Sequence, residues 1–243
     1  PGADLVLGNL PEIPKPLDLS AAGIDFAAGK VSEGRPYRPV FAIGRGDPDQ
    51  PPLRMPFSLL FRPDGHIMVM NYIDEVGRSR VSLFNPSGAL VQVLAEFEYG
   101  IQDQSLDTPA NIAEDSAGNL FIVDLGSNCI KKFSPEGHYQ FTFGCSGEGP
   151  QQLTNPRDLA VDAGNNLYIA DSGNNRILKW DETGQCRLVM GYQADQTEGY
   201  LEPGEAPGQL DEPLSVCVDE QGFVFVADTN NHRIQKFNPA GQF

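Results

Sequence analysis

Basic residues are scarce in this chain. Seventeen Lys and Arg stand against 33 Asp and Glu among 243 residues, a formal net charge of −16. A field of that sign repels phosphate backbones and anionic lipid surfaces, which argues against a nucleic-acid partner. Basic clusters such as Lys131-Lys132 are too small to make a local exception. Long apolar runs are missing too, since no stretch of the sequence reaches the roughly 18 residues of a membrane helix. No secretory signal pattern is visible, and the chain opens on Pro1 rather than Met, as a processed or truncated chain does.

Metal-binding residue types are equally sparse, with four Cys and three His. Cys129, Cys145, Cys186 and Cys217 form no C-x-x-C pair, and His66, His138 and His232 do not cluster, so no zinc site is expected. The cysteines read as core or surface thiols, with one disulfide open to them in an oxidising compartment. No G-x-S-x-G elbow, phosphate loop or H-E-x-x-H helix is present.

Gly and Pro, by contrast, are plentiful at 26 and 20 residues. Gly supplies positive φ and Pro pre-sets turns, which suits many short strands. An internal repeat gives this composition its meaning. Four segments align from Pro56, Pro109, Pro156 and Pro213, about 50 residues apart. In each, a short strand ends at Arg62, Asp115, Asp162 or Asp219, and a tight turn follows. Second strands are predicted at His66–Met70, Asn119–Val123, Asn166–Ala170 and Phe223–Ala227. They are apolar almost throughout, as strands covered on both faces must be. Third strands are predicted at Arg80–Phe84, Cys129–Phe133, Arg176–Trp180 and Arg233–Phe237, and an outer strand is clearest at Tyr139–Phe143.

Two repeats carry a family resemblance. Asn155-Pro156-Arg157-Asp158-Leu159-Ala160-Val161-Asp162 followed by Leu167-Tyr168-Ile169-Ala170-Asp171-Ser172-Gly173-Asn174-Asn175-Arg176-Ile177 resembles the NHL repeat over its whole core. Glu212-Pro213 through Ala227-Asp228-Thr229-Asn230-Asn231-His232-Arg233-Ile234 is equally similar. The resemblance implies an all-β fold, a β-propeller of four-stranded antiparallel blades spanning residues 35–243. Residues 1–34 read as an arm, a linker or a decayed blade.

Two arrangements of the ring fit. Tyr37–Gly44 resembles the outer strand Tyr139–Gly144, so the chain enters within a blade, and it stops where the last outer strand is expected. Either the N-terminal strand closes a four-bladed ring, or the chain is part of a larger ring, six-bladed by family resemblance.

Asp171 with Arg176, and Asp228 with Arg233, are expected to pair across the loop between second and third strands. Cys129 replaces the Arg opposite Asp124, which must find another donor or stay solvated. Ser58, Asn111, Asp158 and Ser215 stand where first strands enter the channel mouth. They read as polar lining of a wet channel, with Asp158 and Asn111 as candidate oxygen ligands for Ca²⁺. Glu114 stands where other repeats have Phe61, Val161 and Val218. It reads as an acid facing the channel or, preferably, an edge residue reaching solvent. The resemblance also brings in amidating lyases with several channel histidines around zinc, a set this sequence does not reproduce.

Irregular loops are the expected partner surface: the enlarged loop with Tyr72 and Asp74, and the linker with Tyr192, Asp195, Glu198, Tyr200 and Glu202. The resemblance implies a rigid disc for binding proteins, and sometimes RNA. The acidic charge favours a protein partner with a basic or mixed surface, within a larger assembly. A metal-dependent hydrolase or lyase is the rival, and no other cofactor is expected.

Overall fold

The structure, a computed structural model, describes Ile43, residues 53–191 and residues 202–243. The chain divides into two compact units, and the described residues belong to the second, Phe41–Phe243. The expected arm at 1–34 lies outside the described residues.

Among the described residues, fifteen strands form four antiparallel sheets in a propeller arrangement. The first blade comprises β1 (Arg54–Phe61), β2 (Ile67–Tyr72), β3 (Ser79–Phe84) and β4 (Leu90–Phe97). The second has β5 (Pro109–Glu114), β6 (Leu120–Asp124), β7 (Cys129–Phe133) and β8 (Tyr139–Phe143). In the third are β9 (Pro156–Val161), β10 (Leu167–Asp171), β11 (Arg176–Trp180) and β12 (Cys186–Met190). The fourth contains β13 (Pro213–Val218), β14 (Val224–Asp228) and β15 (Arg233–Phe237). Within each sheet the strands pair in chain order, and the first strands β1, β5, β9 and β13 touch one another in succession.

Strands β7, β8, β11 and β15 fall where the repeat predicts them. First strands end one residue earlier than expected, and in the second, third and fourth blades the following Asp caps the bend. Asp115 Oδ1 accepts the N–H groups of Ala117 and Asn119, each at 2.9 Å. Asp162 and Asp219 do the same in their repeats. Asn165 takes the left-handed conformation (φ 60°) where the other repeats have Gly65, Gly118 and Gly222.

Strand periodicity explains the continuous apolar runs. Leu120 and Ile122 face a layer shared with Met70, Val81 and Phe97 of the first blade. Phe121 and Val123 point the other way, against Leu167, Ile169 and Trp180 of the third. Tyr168 and Ala170 likewise meet Val224, Val226 and Phe237 of the fourth. The fourth blade has no such neighbour on its far face among the described residues. Ile234 is 68% exposed there, whereas its repeat equivalents Ile130 and Ile177 are fully buried.

Ile43 packs with Leu53, Ile67, Val69 and Phe84, as Phe143 does with Leu153, Leu167, Ile169 and Trp180. Ile43 belongs to the segment Tyr37–Gly44, which the sequence likens to an outer strand. The rest of that segment lies outside the described residues. All four cysteines are free thiols. Burial pushes the Cys129 thiol up to about 12, with the Asp124 carboxylate adding to the effect.

Candidate functional site

The four channel-mouth residues form one hydrogen-bonded chain. Each stands two residues after the proline of a first strand, and neighbouring first strands touch, so the side chains line up across the blades. Ser58 Oγ donates to Asn111 Oδ1 at 3.0 Å. Asn111 Nδ2 donates to Asp158 Oδ1, and Ser215 Oγ donates to Asp158 Oδ2 at 2.6 Å. The backbone N–H groups of Leu159 and Val216 complete the set, each 2.9 Å from an Asp158 oxygen.

Asp158 is therefore buried with two donors on each carboxylate oxygen, close to the full acceptor capacity of the group. Burial pushes its pKa up, and the bonds from Ser215, Val216, Leu159 and Asn111 act in the opposite direction. A Ca²⁺ ion here would have to displace those donors, which makes the donor set a poor fit for the cation. Among the described residues no three His, Cys, Asp or Glu side chains gather in a metal-binding group.

Glu114 does not join this chain. It lies at the far end of β5, where Arg62 Nε donates to its Oε2 at 2.8 Å and Arg62 Nη2 reaches Oε1. Both side chains are largely buried in the seam between the first two blades. The reading of Glu114 as a solvent-reaching edge residue or a channel acid thus gives way to a bidentate ion pair. Arg62 stands where the other repeats have the turn-capping Asp, so two departures from the repeat complement each other across a blade boundary.

The expected Asp–Arg pairs are present. Arg176 Nε donates to Asp171 Oδ2, and Arg233 Nε to Asp228 Oδ2, both at 2.7 Å. The remaining guanidinium donors tie down the linker entering each blade. Arg176 reaches the carbonyls of Glu148, Gly149 and Gln152, and Arg233 those of Glu205, Ala206 and Gln209. The same linkers donate back, Thr154 N–H to Asp171 Oδ1 at 2.7 Å and Asp211 N–H to Asp228 Oδ1 at 2.8 Å. These pairs are staples between a blade and its linker.

The enlarged loop of the first blade is held by the residues expected to bind a partner. Tyr72 packs against Phe57, the rings tilted by 43° with centroids 4.8 Å apart. Asp74 Oδ1 accepts the N–H groups of Val76, Gly77 and Arg78, each at 3.1 Å, and Oδ2 pairs with Arg78 Nε. The Arg78 hydrogen bond, with help from those backbone donors, holds the Asp74 carboxyl below the usual range. Asp74 builds the loop, then, and the surface it presents is apolar. Met55, Val76 and Tyr99 are 68%, 70% and 52% exposed around a groove of about 490 Å³. Sequence reading missed these three residues, although an apolar Val76 at a polar loop tip was a signal. Glu202 is exposed, while Tyr192, Asp195, Glu198 and Tyr200 lie outside the described residues.

Comparison with known proteins agrees with this architecture. The family model described as NHL repeat matches residues 153–180 and 210–237, the third and fourth repeats. Similar relatives include the E3 ubiquitin-protein ligase TRIM71 of Mus musculus, 50% identical over 40 residues. The B-box type zinc finger protein ncl-1 of Caenorhabditis elegans is 55% identical over 42 residues. Those stretches amount to 16% and 17% of this chain and 5% of each relative. Among solved structures, a streptogramin B lyase superposes with a TM-score of 0.53 at 15% identity, over 80% of this chain and 54% of that one. A protein of unknown function from Bacteroides caccae gives a TM-score of 0.56 at 16% identity, over 77% and 64% of the two chains. Likeness at these identities is one of fold. Residues 153–180 and 210–237 are thus NHL repeats, set as the third and fourth blades of a β-propeller fold.

Proposed function

We propose that this propeller is a non-enzymatic protein-interaction scaffold, serving as an accessory part of a larger assembly. One observation carries the reading. The polar side chains at the channel mouth, where propeller chemistry would need free acids or metal ligands, are spent on one another, with both Asp158 oxygens doubly engaged. What varies between blades is instead displayed on the rim loops, mounted on rigid sheets. The net charge of −16 favours a partner with a basic or mixed surface and disfavours an RNA backbone. No helix among the described residues is long and apolar enough to cross a membrane.

Reconstitution tests the reading. A protein recovered with the chain is purified separately and titrated against it, with single-stranded RNA as the competitor, at about 150 mM salt, where the Debye length is near 8 Å. Saturable, stoichiometric protein binding that weakens with salt is expected. Submicromolar RNA binding without any protein partner overturns it. A metal-dependent enzyme is separated by a thermal melt, in which millimolar Ca²⁺ is expected to leave the Tm unchanged. A Ca²⁺-dependent rise that disappears in Asp158→Ala would favour the enzyme.

A further inference from the structure

The groove beside the enlarged loop holds an unpaired backbone donor at a position that the protein fills elsewhere. The residue before each repeat proline adopts a left-handed conformation: Met55, Thr108, Asn155 and Glu212 have φ between 45° and 58°. At two of the blade junctions, an Asn side chain from the preceding blade caps that residue. Asn128 Oδ1 accepts the Asn155 N–H at 2.6 Å, and Asn175 Oδ1 accepts the Glu212 N–H at 2.9 Å. At the junction of the first and second blades the equivalent donor is Thr108 N–H. The enlarged loop brings no Asn there, and Thr108 N–H has no partner among the described residues.

Thr108 lines the same groove as Met55, Tyr72, Val76 and Tyr99. The corresponding hollow between the third and fourth blades, lined by Asn155, Asn175 and Glu212, is about 230 Å³, less than half the 490 Å³ here. The enlarged loop thus replaces an internal amide cap by a wider, apolar recess. Charge around it is unbalanced. Asp74, Glu75, Glu98 and Asp107 stand against Arg54 and Arg78, and the Glu75 and Glu98 side chains are largely exposed.

We infer that this groove binds an extended segment of a partner protein that carries an apolar side chain next to Lys or Arg. The apolar side chain seats among Met55, Val76 and Tyr99. A carbonyl oxygen of the segment, backbone or Asn, accepts the Thr108 N–H as Asn128 and Asn175 do at their own junctions. The basic side chain answers the surplus carboxylates. The inference rests on the interaction reading above and names the surface and the class of ligand.

A phage-displayed library of random dodecapeptides is panned on the full chain, and enriched peptides are titrated against wild type and Val76→Lys. Val76 is mostly exposed, so the variant is expected to keep the wild-type melting temperature. The expected peptides pair an apolar residue with Lys or Arg and bind Val76→Lys at least about ten-fold more weakly, the scale of one buried aliphatic side chain. They also slow hydrogen exchange at the Thr108 amide and leave the Asn155 and Glu212 amides unchanged. Peptides that bind both proteins alike and spare Thr108 would overturn the groove while leaving the scaffold reading intact. Failure to enrich any peptide would count against the interaction reading and the groove together. A concentration-dependent dimer abolished by Val76→Lys would assign the groove to a second copy of the chain and overturn the proposal.

Discussion

Lys131 reaches Asp124 from two positions further along its strand than the arginines that do the same work in the third and fourth blades. Its Nζ lies 3.1 Å from the Asp124 carboxylate, with both side chains buried. It also donates to the carbonyls of Gln102 and Ser105, at 3.0 and 2.7 Å. Those oxygens are the repeat equivalents of Gly149 and Gln152, which Arg176 holds. Residues two apart on a strand share a face, so the cation moved along β7 without leaving its carboxylate. The arrangement answers what Asp124 does without an Arg opposite it. Gln235, at the same position in the fourth blade, reaches Asp228 Oδ2 at 3.0 Å.

The relocation is reversible by design. Lys131→Leu leaves Asp124 buried without its cation and is expected to lower unfolding stability by roughly 3–5 kcal/mol. The double variant Cys129→Arg/Lys131→Leu copies the Arg176 and Leu178 pattern of the third blade and is expected to recover most of the loss. Urea unfolding midpoints measure both. A double variant no more stable than Lys131→Leu would show that the staple is not transferable between blades.

Asp158 makes stability depend on pH in a defined sense. Its folded pKa is raised, chiefly by burial. A raised folded pKa means that the contribution of this group is fully present below the unfolded value, about 3.9 for Asp. It is lost as pH rises through the folded value. Relative to Asp158→Asn, which does not titrate, wild type is therefore expected to be favoured most near pH 4 and to lose ground towards neutrality. Urea midpoints of the two proteins from pH 4 to 7 give the comparison. A difference that grows with pH would mean that the four hydrogen bonds, and not burial, dominate the carboxyl.

Arg62 and Glu114 are expected to behave as one unit. Glu114→Val, which installs the residue found at Val161 and Val218, leaves a largely buried guanidinium without its carboxylate. A loss of about 1–2 kcal/mol is expected for that change alone. Adding Arg62→Asp restores the repeat's own turn residue and is expected to regain stability, giving a favourable coupling in the double-mutant cycle. Strict additivity of the two changes would remove the claim that these departures compensate.

Much of the fold was legible because strand physics is local. The continuous apolar run Leu120–Val123 and the turn chemistry around Asp115 and Asn165 need only neighbouring residues, and they located the blades to within a residue or so. The pairs Asp171–Arg176 and Asp228–Arg233 were readable for the same reason, being five positions apart across one short loop. Lys131 and Glu114 were not. Both residues act outside their own repeat position, one along its strand and one across a blade boundary. The channel-mouth residues were found as a set, but their mutual bonding required the lateral spacing of β1, β5, β9 and β13.

The sequence by itself determined the repeat, the all-β class, the acidic surface and the identity of the channel-mouth and staple residues, because periodicity, turn chemistry and charge are written in adjacent positions. Only the tertiary structure decided what the channel-mouth residues, Lys131 and Glu114 do. Contacts between blades join positions some 50 residues apart, so it took the packed row of first strands to turn Ser58, Asn111, Asp158 and Ser215 into one hydrogen-bonded chain. The same packing set Arg62 on Glu114 and left Thr108 N–H without a partner among the described residues, beside an apolar groove.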